Sequence, residues 1–143
     1  MEHPDACRWT APCEGMVGRT ALARTGERLA AEHLEVVHGL HLLALNHRVA
    51  IEGIRGELDV LLRDFRSGLL VVCEVKARTG AGGAGAVEAL SAAQRHHIRR
   101  LTGALLASGL VSARGVRFDL VTVDVPRDPG DRPAVLHHHP GAW

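Results

Sequence analysis

The stretch GELDVLLRDFRSGLLVVCEVK, Gly56 to Lys76, holds two apolar runs joined by a short polar turn and reads as a β-hairpin. Side chains on a strand alternate between faces, so residues two apart share one. In the second run Val71, Cys73 and Val75 therefore share one face, and Glu74 and Lys76 the other. Asp59 stands in the facing run among Leu58, Val60, Leu61 and Leu62. An unpaired ion buried in such a strand costs several kcal/mol. These three charges need either partners or a function.

The elements around the hairpin follow from periodicity. From Thr20 to His38 the pattern is helical, with Leu22, Gly26, Ala30, Leu34 and Val37 at spacings of three and four, and Gly39 suits a left-handed helix stop. LHLLALN is a short strand candidate, and the polar HRVAIEGIRG leads into or out of it. ELDVLLRD, the turn FRSG and LLVVCEVKAR complete the hairpin. TGAGGAGAV follows. It lacks the Gly-Lys-Ser/Thr ending of a phosphate loop and the Gly-x-Gly-x-x-Gly of a dinucleotide fold, so it reads as a flexible loop beside the hairpin. A second helix starts near Ser91, where SAAQ fits a capping box with Gln94 as its third residue. Gln94, Ile98, Leu101 and Leu105 form its stripe, and Gly109 is a stop. VRFDLVTVDV is a further strand ended by Pro126, and the remaining tail holds at most one short strand. The order helix, three strands, helix, strand predicts an α/β fold, a mixed sheet flanked by helices. Residues 1–18 read as a variable tail and 19–143 as one domain, a size that buries a real core.

Composition narrows the function classes. A net charge of +1 announces no strong field, so a nucleic-acid partner requires a local basic patch. Three cysteines, with Cys73 in a core strand and Cys7 and Cys13 in the leader, argue against a disulfide framework. No apolar run approaches the ~20 residues of a membrane span, and MEHPDACRWTAPCEG lacks an apolar signal core. The expectation is a cytoplasmic protein with no membrane partner.

Asp59, Glu74 and Lys76 fit metal-assisted phosphodiester cleavage. Mg²⁺ takes oxygen ligands, commonly one or two carboxylates plus water and a substrate phosphate. A neighbouring ammonium stabilises charge on the phosphate. The plainer account is a cross-strand ion pair at the sheet rim, which is common and weakly informative. The ordering of acid, hairpin and acid-x-Lys favours the metal reading.

The blocks ARTGERLAAEHL, NHR, GELDVLLRD, LLVVCEVKAR and RFDLVTVDV together resemble the signature blocks of the YraN-like bacterial proteins, over about Gly18 to the C-terminal HHHPGAW. That family is assigned to the PD-(D/E)xK nuclease superfamily, with the restriction-endonuclease-like fold, and is similar to archaeal Holliday-junction resolvases. The resemblance implies a Mg²⁺- or Mn²⁺-dependent endonuclease with Asp59 and Glu74 as metal ligands and Lys76 as the catalytic lysine. It puts the acid of a Gly-Glu motif at Glu27, a third metal ligand; read alone, Glu27 is a solvated helix acid. Glu57 is a supporting or rim residue. Relatives commonly carry Lys where this chain has Gln94, whose amide would face the sheet and the acids, cap its helix, or do both. A non-catalytic nucleic-acid-binding or scaffolding module on the same fold is the competing class.

Arg95, Arg99 and Arg100, with His96 and His97, make a basic helix that could track a DNA backbone or simply be solvated. Arg78 could reach a phosphate or cap its strand. The run His137, His138, His139 has no recognised zinc spacing and reads as surface. The expected partner is nucleic acid, DNA first, and self-association into a homodimer stays open.

Overall fold

The computed structural model describes residues 7–11, 18–79, 90–128 and 133–143. The elements run β1 (Cys7–Ala11), α1 (Gly18–Val36), β2 (His41–Ile51), β3 (Ile54–Asp64), β4 (Leu69–Thr79), α2 (Ala92–Ala107), β5 (Gly115–Val125) and β6 (Ala134–His139). The strands form one sheet in the order β1-β6-β5-β4-β3-β2. β4 and β5 pair in parallel, and the other neighbours are antiparallel. α2 supplies the crossover that a parallel pair requires. The expected α/β architecture forms, with a strand added at each end of the order. Part of the leader read as a tail is therefore edge strand β1, paired with β6 from Cys7↔His138 to Ala11↔Ala134. The glycine-rich segment, 80–89, and Cys13 lie outside the described residues.

Local chemistry sets the boundaries. α1 stops where Gly39 takes φ 65, and the amides of Gly39 and Leu40 bond back to the carbonyls of Glu35 and Leu34. Val37, expected on the buried stripe, is past the helix end and exposed. HRVAIEGIRG is not a polar leader. It carries the β2–β3 hairpin, with Ile51↔Ile54 flanking Glu52 and Gly53 at φ 48 and 81. Two positive φ values define the turn whose twist matches antiparallel strands. Glu at the first of these positions, in place of the favoured Asn or Asp, hid it. The next turn is tied by Asp64, which accepts from Arg66 N at 2.9 Å and Ser67 Oγ at 2.8 Å. The capping box at Ser91 and Gln94 forms as read.

Two apolar layers cover the sheet. Leu29, Ala30, Ala31 and Leu34 of α1 pack on Val60, Leu62, Val71, Cys73, Val75 and the valines of β5. Ile98, Leu101 and Leu105 of α2 pack on Leu58, Leu61, Leu70, Val72 and Leu120 across the other face. Each fully buried leucine contributes about 1.5–3 kcal/mol relative to exposure. β4 alternates regularly between the layers. β3 does not: Leu58 joins the α2 layer and Val60, two residues on, the α1 layer. A period-two strand cannot do this without a local twist or bulge. The break falls at Asp59. On β2 the pairs Leu45↔Val60 and His47↔Leu58 bracket Asn46, which stands across from Asp59 with φ 49.

α1 reaches the sheet closely through Gly26. A Cβ there would lie 2.7 Å from the Ala77 Cβ, a strand atom that cannot swing away. Gly26→Ala is expected to push α1 off β4 and cost about 1–3 kcal/mol. Chemical denaturation measures the loss, and an unchanged midpoint would show that the approach is looser.

Candidate functional site

The site lies where β3 and β4 part. Their pairing runs from Asp64↔Leu69 to Val60↔Cys73 and stops. One residue beyond, the Asp59 carboxylate takes over the ladder by accepting from the Val75 amide at 2.9 Å. A single strand residue thus satisfies a buried N–H and holds a carboxylate among three secondary-structure elements.

Glu27, Glu57 and Asp59 each bring a carboxylate oxygen within 4.8 Å of the other two. Glu27 comes from α1 and is only 6% exposed. It accepts from the Asn46 side-chain amide and from Arg24, whose guanidinium also reaches Glu57, at 3.2 Å in each case for the arginine. Glu74 is in hydrogen-bonding contact with Asp59, and Lys76 Nζ is 3.5 Å from the Glu74 carboxylate.

Electrostatics record the crowding. Burial first, then the Asp59 charge, pushes the Glu74 carboxyl up to about 8. Asp59 is raised as well, by burial and by the Glu27 charge, against the lowering effect of the Val75 amide. Acids held close in a dry site share protons when no stronger cation compensates them. An all-oxygen donor set with excess negative charge fits a hard divalent cation such as Mg²⁺ or Mn²⁺.

The structure therefore brings Asp59, Glu74, Lys76 and Glu27 into one cluster. Glu57, read as a supporting or rim residue, has its carboxylate inside it. Asn46 opens the NHR block, but nothing in the sequence tied it to the acids: its left-handed backbone and its place across from Asp59 accompany the contact with Glu27. Gln94 is not part of the cluster. It is exposed, and its Oε1 accepts from Ser91 N at 3.0 Å while its backbone N–H donates to Ser91 Oγ at 3.1 Å. The expectation that its side chain faces the acids is corrected: the cap outcompetes the stripe at the first turn. Gln94→Lys is expected to leave DNA affinity unchanged in a filter-binding titration, and a several-fold gain would restore a phosphate-contacting role.

Among the candidate phosphate contacts, Arg78 and Arg95 are exposed. Arg99 has a neighbour: its guanidinium lies 4.7 Å over the Phe118 ring, which stacks on Trp143. Gly56 lets the helix settle on β3, since a Cβ there would meet His97 Nε2 at 2.7 Å. His138, read as part of a surface run, is buried on β6. Among the described residues no helix is long and apolar enough to cross a membrane.

Similarity to known proteins follows the same segments. The UPF0102 protein of Frankia casuarinae is 38% identical over 128 residues, 90% of this chain and all of that protein. The counterpart in Mycolicibacterium smegmatis is 36% identical over 119 residues, 83% of this chain and 90% of its own. That of Frankia alni is 40% identical over 111 residues, 78% and 87% of the two chains. The sequence profile of the Uncharacterised protein family UPF0102 matches residues 26–123, which run from the glycine under α1 through the acidic cluster and most of β5, and the chain belongs to that family.

Proposed function

We propose that the chain is a divalent-metal-dependent nuclease of the PD-(D/E)xK superfamily that hydrolyses DNA phosphodiester bonds, with branched recombination and repair DNA as the substrate class. The observation that carries this reading is the convergence of Glu27, Glu57, Asp59 and Glu74, with Lys76 on Glu74, at the point where two strands separate. An acid from a helix, an acid from one strand and an acid-x-Lys from the next is more than a rim ion pair requires.

Asp59, Glu74 and Glu27 would hold the ion, with Glu57 beside them. A bound Mg²⁺ or Mn²⁺ supplies Lewis acidity to the phosphoryl oxygen and an acidified water near neutral pH. Asp59 is oriented for this by the Val75 amide, and Glu27 by Asn46 and Arg24. Lys76 is held at the cluster's edge by Glu74, so its ammonium is placed to steady charge building on a phosphate without ligating the ion. Arg78, two residues further along β4, and Arg95 on α2 offer exposed charges for backbone phosphates.

The deciding experiment incubates the protein with linear, single-stranded and branched DNA in Mg²⁺, Mn²⁺ or a chelator. Cleavage that needs the ion and disappears in Glu74→Ala supports the nuclease. Binding to DNA with no cleavage under any of these conditions would favour the non-catalytic module, a reading to which the solvent-facing Gln94 lends some support.

A further inference from the structure

Burial alternates along β6, and the middle residue of its histidine run, His138, is 1% exposed. Two more histidines meet it. His33 comes from α1 and is fully buried, and His38 comes from the turn that Gly39 closes. One ring nitrogen from each of the three lies within 4.8 Å of the other two. His38 Nε2 and His138 Nδ1 are 3.3 Å apart.

A buried carboxylate fixes this arrangement from behind. Asp119 on β5 is 0% exposed and lies 2.8 Å from His138 Nε2. It also accepts from Arg117 Nε at 2.8 Å, Arg117 Nη2 at 2.9 Å and the Gly141 amide at 3.0 Å. An ionised carboxylate only accepts, so His138 carries its proton on Nε2 and turns the Nδ1 lone pair toward His38. Metal-binding histidines are oriented in this way, by a carboxylate on the nitrogen that does not ligate.

We propose that His33, His38 and His138 form a separate three-histidine site for a borderline transition-metal dication, Zn²⁺ first, with its fourth position open. In tetrahedral zinc with Zn–N of 2.0–2.1 Å the ligand nitrogens stand about 3.3–3.4 Å apart. The His38–His138 pair already has that spacing. His38 meets the ion through Nε2 once its proton moves to Nδ1, a change of tautomer with no change of charge. Imidazole donors select zinc over magnesium, and the carboxylate cluster has the reverse preference. His33 follows Glu27 by six residues on α1, about 9 Å along the helix axis, so the two sites need share no ligand.

The open position follows from the cleft beside the histidines. It has a volume of about 340 Å³ and is lined by His38, His138, Leu40, Asp64, Arg66 and Arg117, with Pro140. His38 and His138 line this space, while His33 closes the site from the buried side. Three protein ligands with one side open match zinc sites that exchange a ligand, whereas structural sites are closed by four. Arg117 is held by Asp119, so Arg66, on the same lining as Asp64, is the wall charge available to a small anion exchanging with water.

The test uses the full chain, stripped with a chelator and titrated with Co²⁺ as a spectroscopic substitute for Zn²⁺. The expected result is one equivalent bound with the visible absorption of a tetrahedral cobalt site, displaced by Zn²⁺ and perturbed by inorganic phosphate. His38→Gln, in a surface turn, removes the band. Asp119→Asn weakens Co²⁺ binding about 10–100-fold. Asp59→Ala, Glu74→Ala and the control His47→Gln keep the band. Absence of a tetrahedral band in the wild type, or its survival in His38→Gln, overturns the site. Loss of the band in Asp59→Ala reassigns the ion to the acidic cluster. A band indifferent to phosphate overturns the open position. Because Asp119 and His138 are buried, the His38 variant decides the matter if Asp119→Asn fails to fold.

Discussion

Lys76→Ala is expected to lose DNA cleavage by about 10²–10³-fold, the cost of removing one group that stabilises transition-state charge, while divalent ions still raise its melting temperature. The lysine touches Glu74 at 3.5 Å and is partly exposed at 27%, so its removal opens no cavity. It is not a metal ligand, because an ammonium has no lone pair to offer. Asp59→Ala and Glu74→Ala are expected to lose both readouts together. Gel-based cleavage and thermal unfolding with and without Mn²⁺ distinguish the two patterns. If Lys76→Ala cuts normally, the residue is a rim ion pair and the assignment of its role is wrong.

The second expected result concerns pH. Metal-free protein loses stability as pH rises from about 4.5 to about 8, because Glu74 holds a proton in the fold that the unfolded chain has already released. The sign follows from the direction of the shift. A carboxyl raised by burial contributes fully below its unfolded value, and that contribution is gone once the pH has passed its folded one. Asp59 is raised too and adds to the same slope. A divalent ion replaces the proton, so the rise in melting temperature on adding Mn²⁺ should grow across this window. At a hundredfold excess over the dissociation constant the ion contributes about 2.7 kcal/mol, on the order of 10 °C for a domain of this size. Glu74→Gln imitates the protonated acid. It should flatten the slope, stabilise the metal-free protein above pH 8 and reduce the response to Mn²⁺. An unchanged slope in that variant would mean that the proton is held elsewhere.

Features with a local physical cause were legible from residue order. The β3–β4 hairpin announces itself by two apolar runs around Phe65–Gly68. Gly39 ends α1 because a left-handed residue is needed there, and Ser91 starts α2 because its hydroxyl meets an orphan amide. The pairing of Glu74 with Lys76 follows from strand periodicity alone. Even the family blocks are local strings of this kind.

What the tertiary structure decided has no trace in neighbouring residues. β1 exists because the β6 edge offers it a ladder, and nothing in CRWTA alone distinguishes it from a tail. Strict alternation would keep Leu58 and Val60 on one face, yet they stand in opposite layers on either side of Asp59, where the facing Asn46 is left-handed. Asp59, at that break, interacts with both Glu27 and Glu74. Gln94 fits a buried stripe by spacing, but the first turn of a helix has unpaired amides, and satisfying one of them kept the side chain in solvent. His38 and His138 stand 100 residues apart in the chain and 3.3 Å apart in the fold. Periodicity reports which face a residue takes on its own element. Which faces then meet is set by sheet order and helix packing, so the acid-x-Lys pair was visible in the residue pattern and the helix acid Glu27 only through the family motif, while the histidine cluster emerged only on folding.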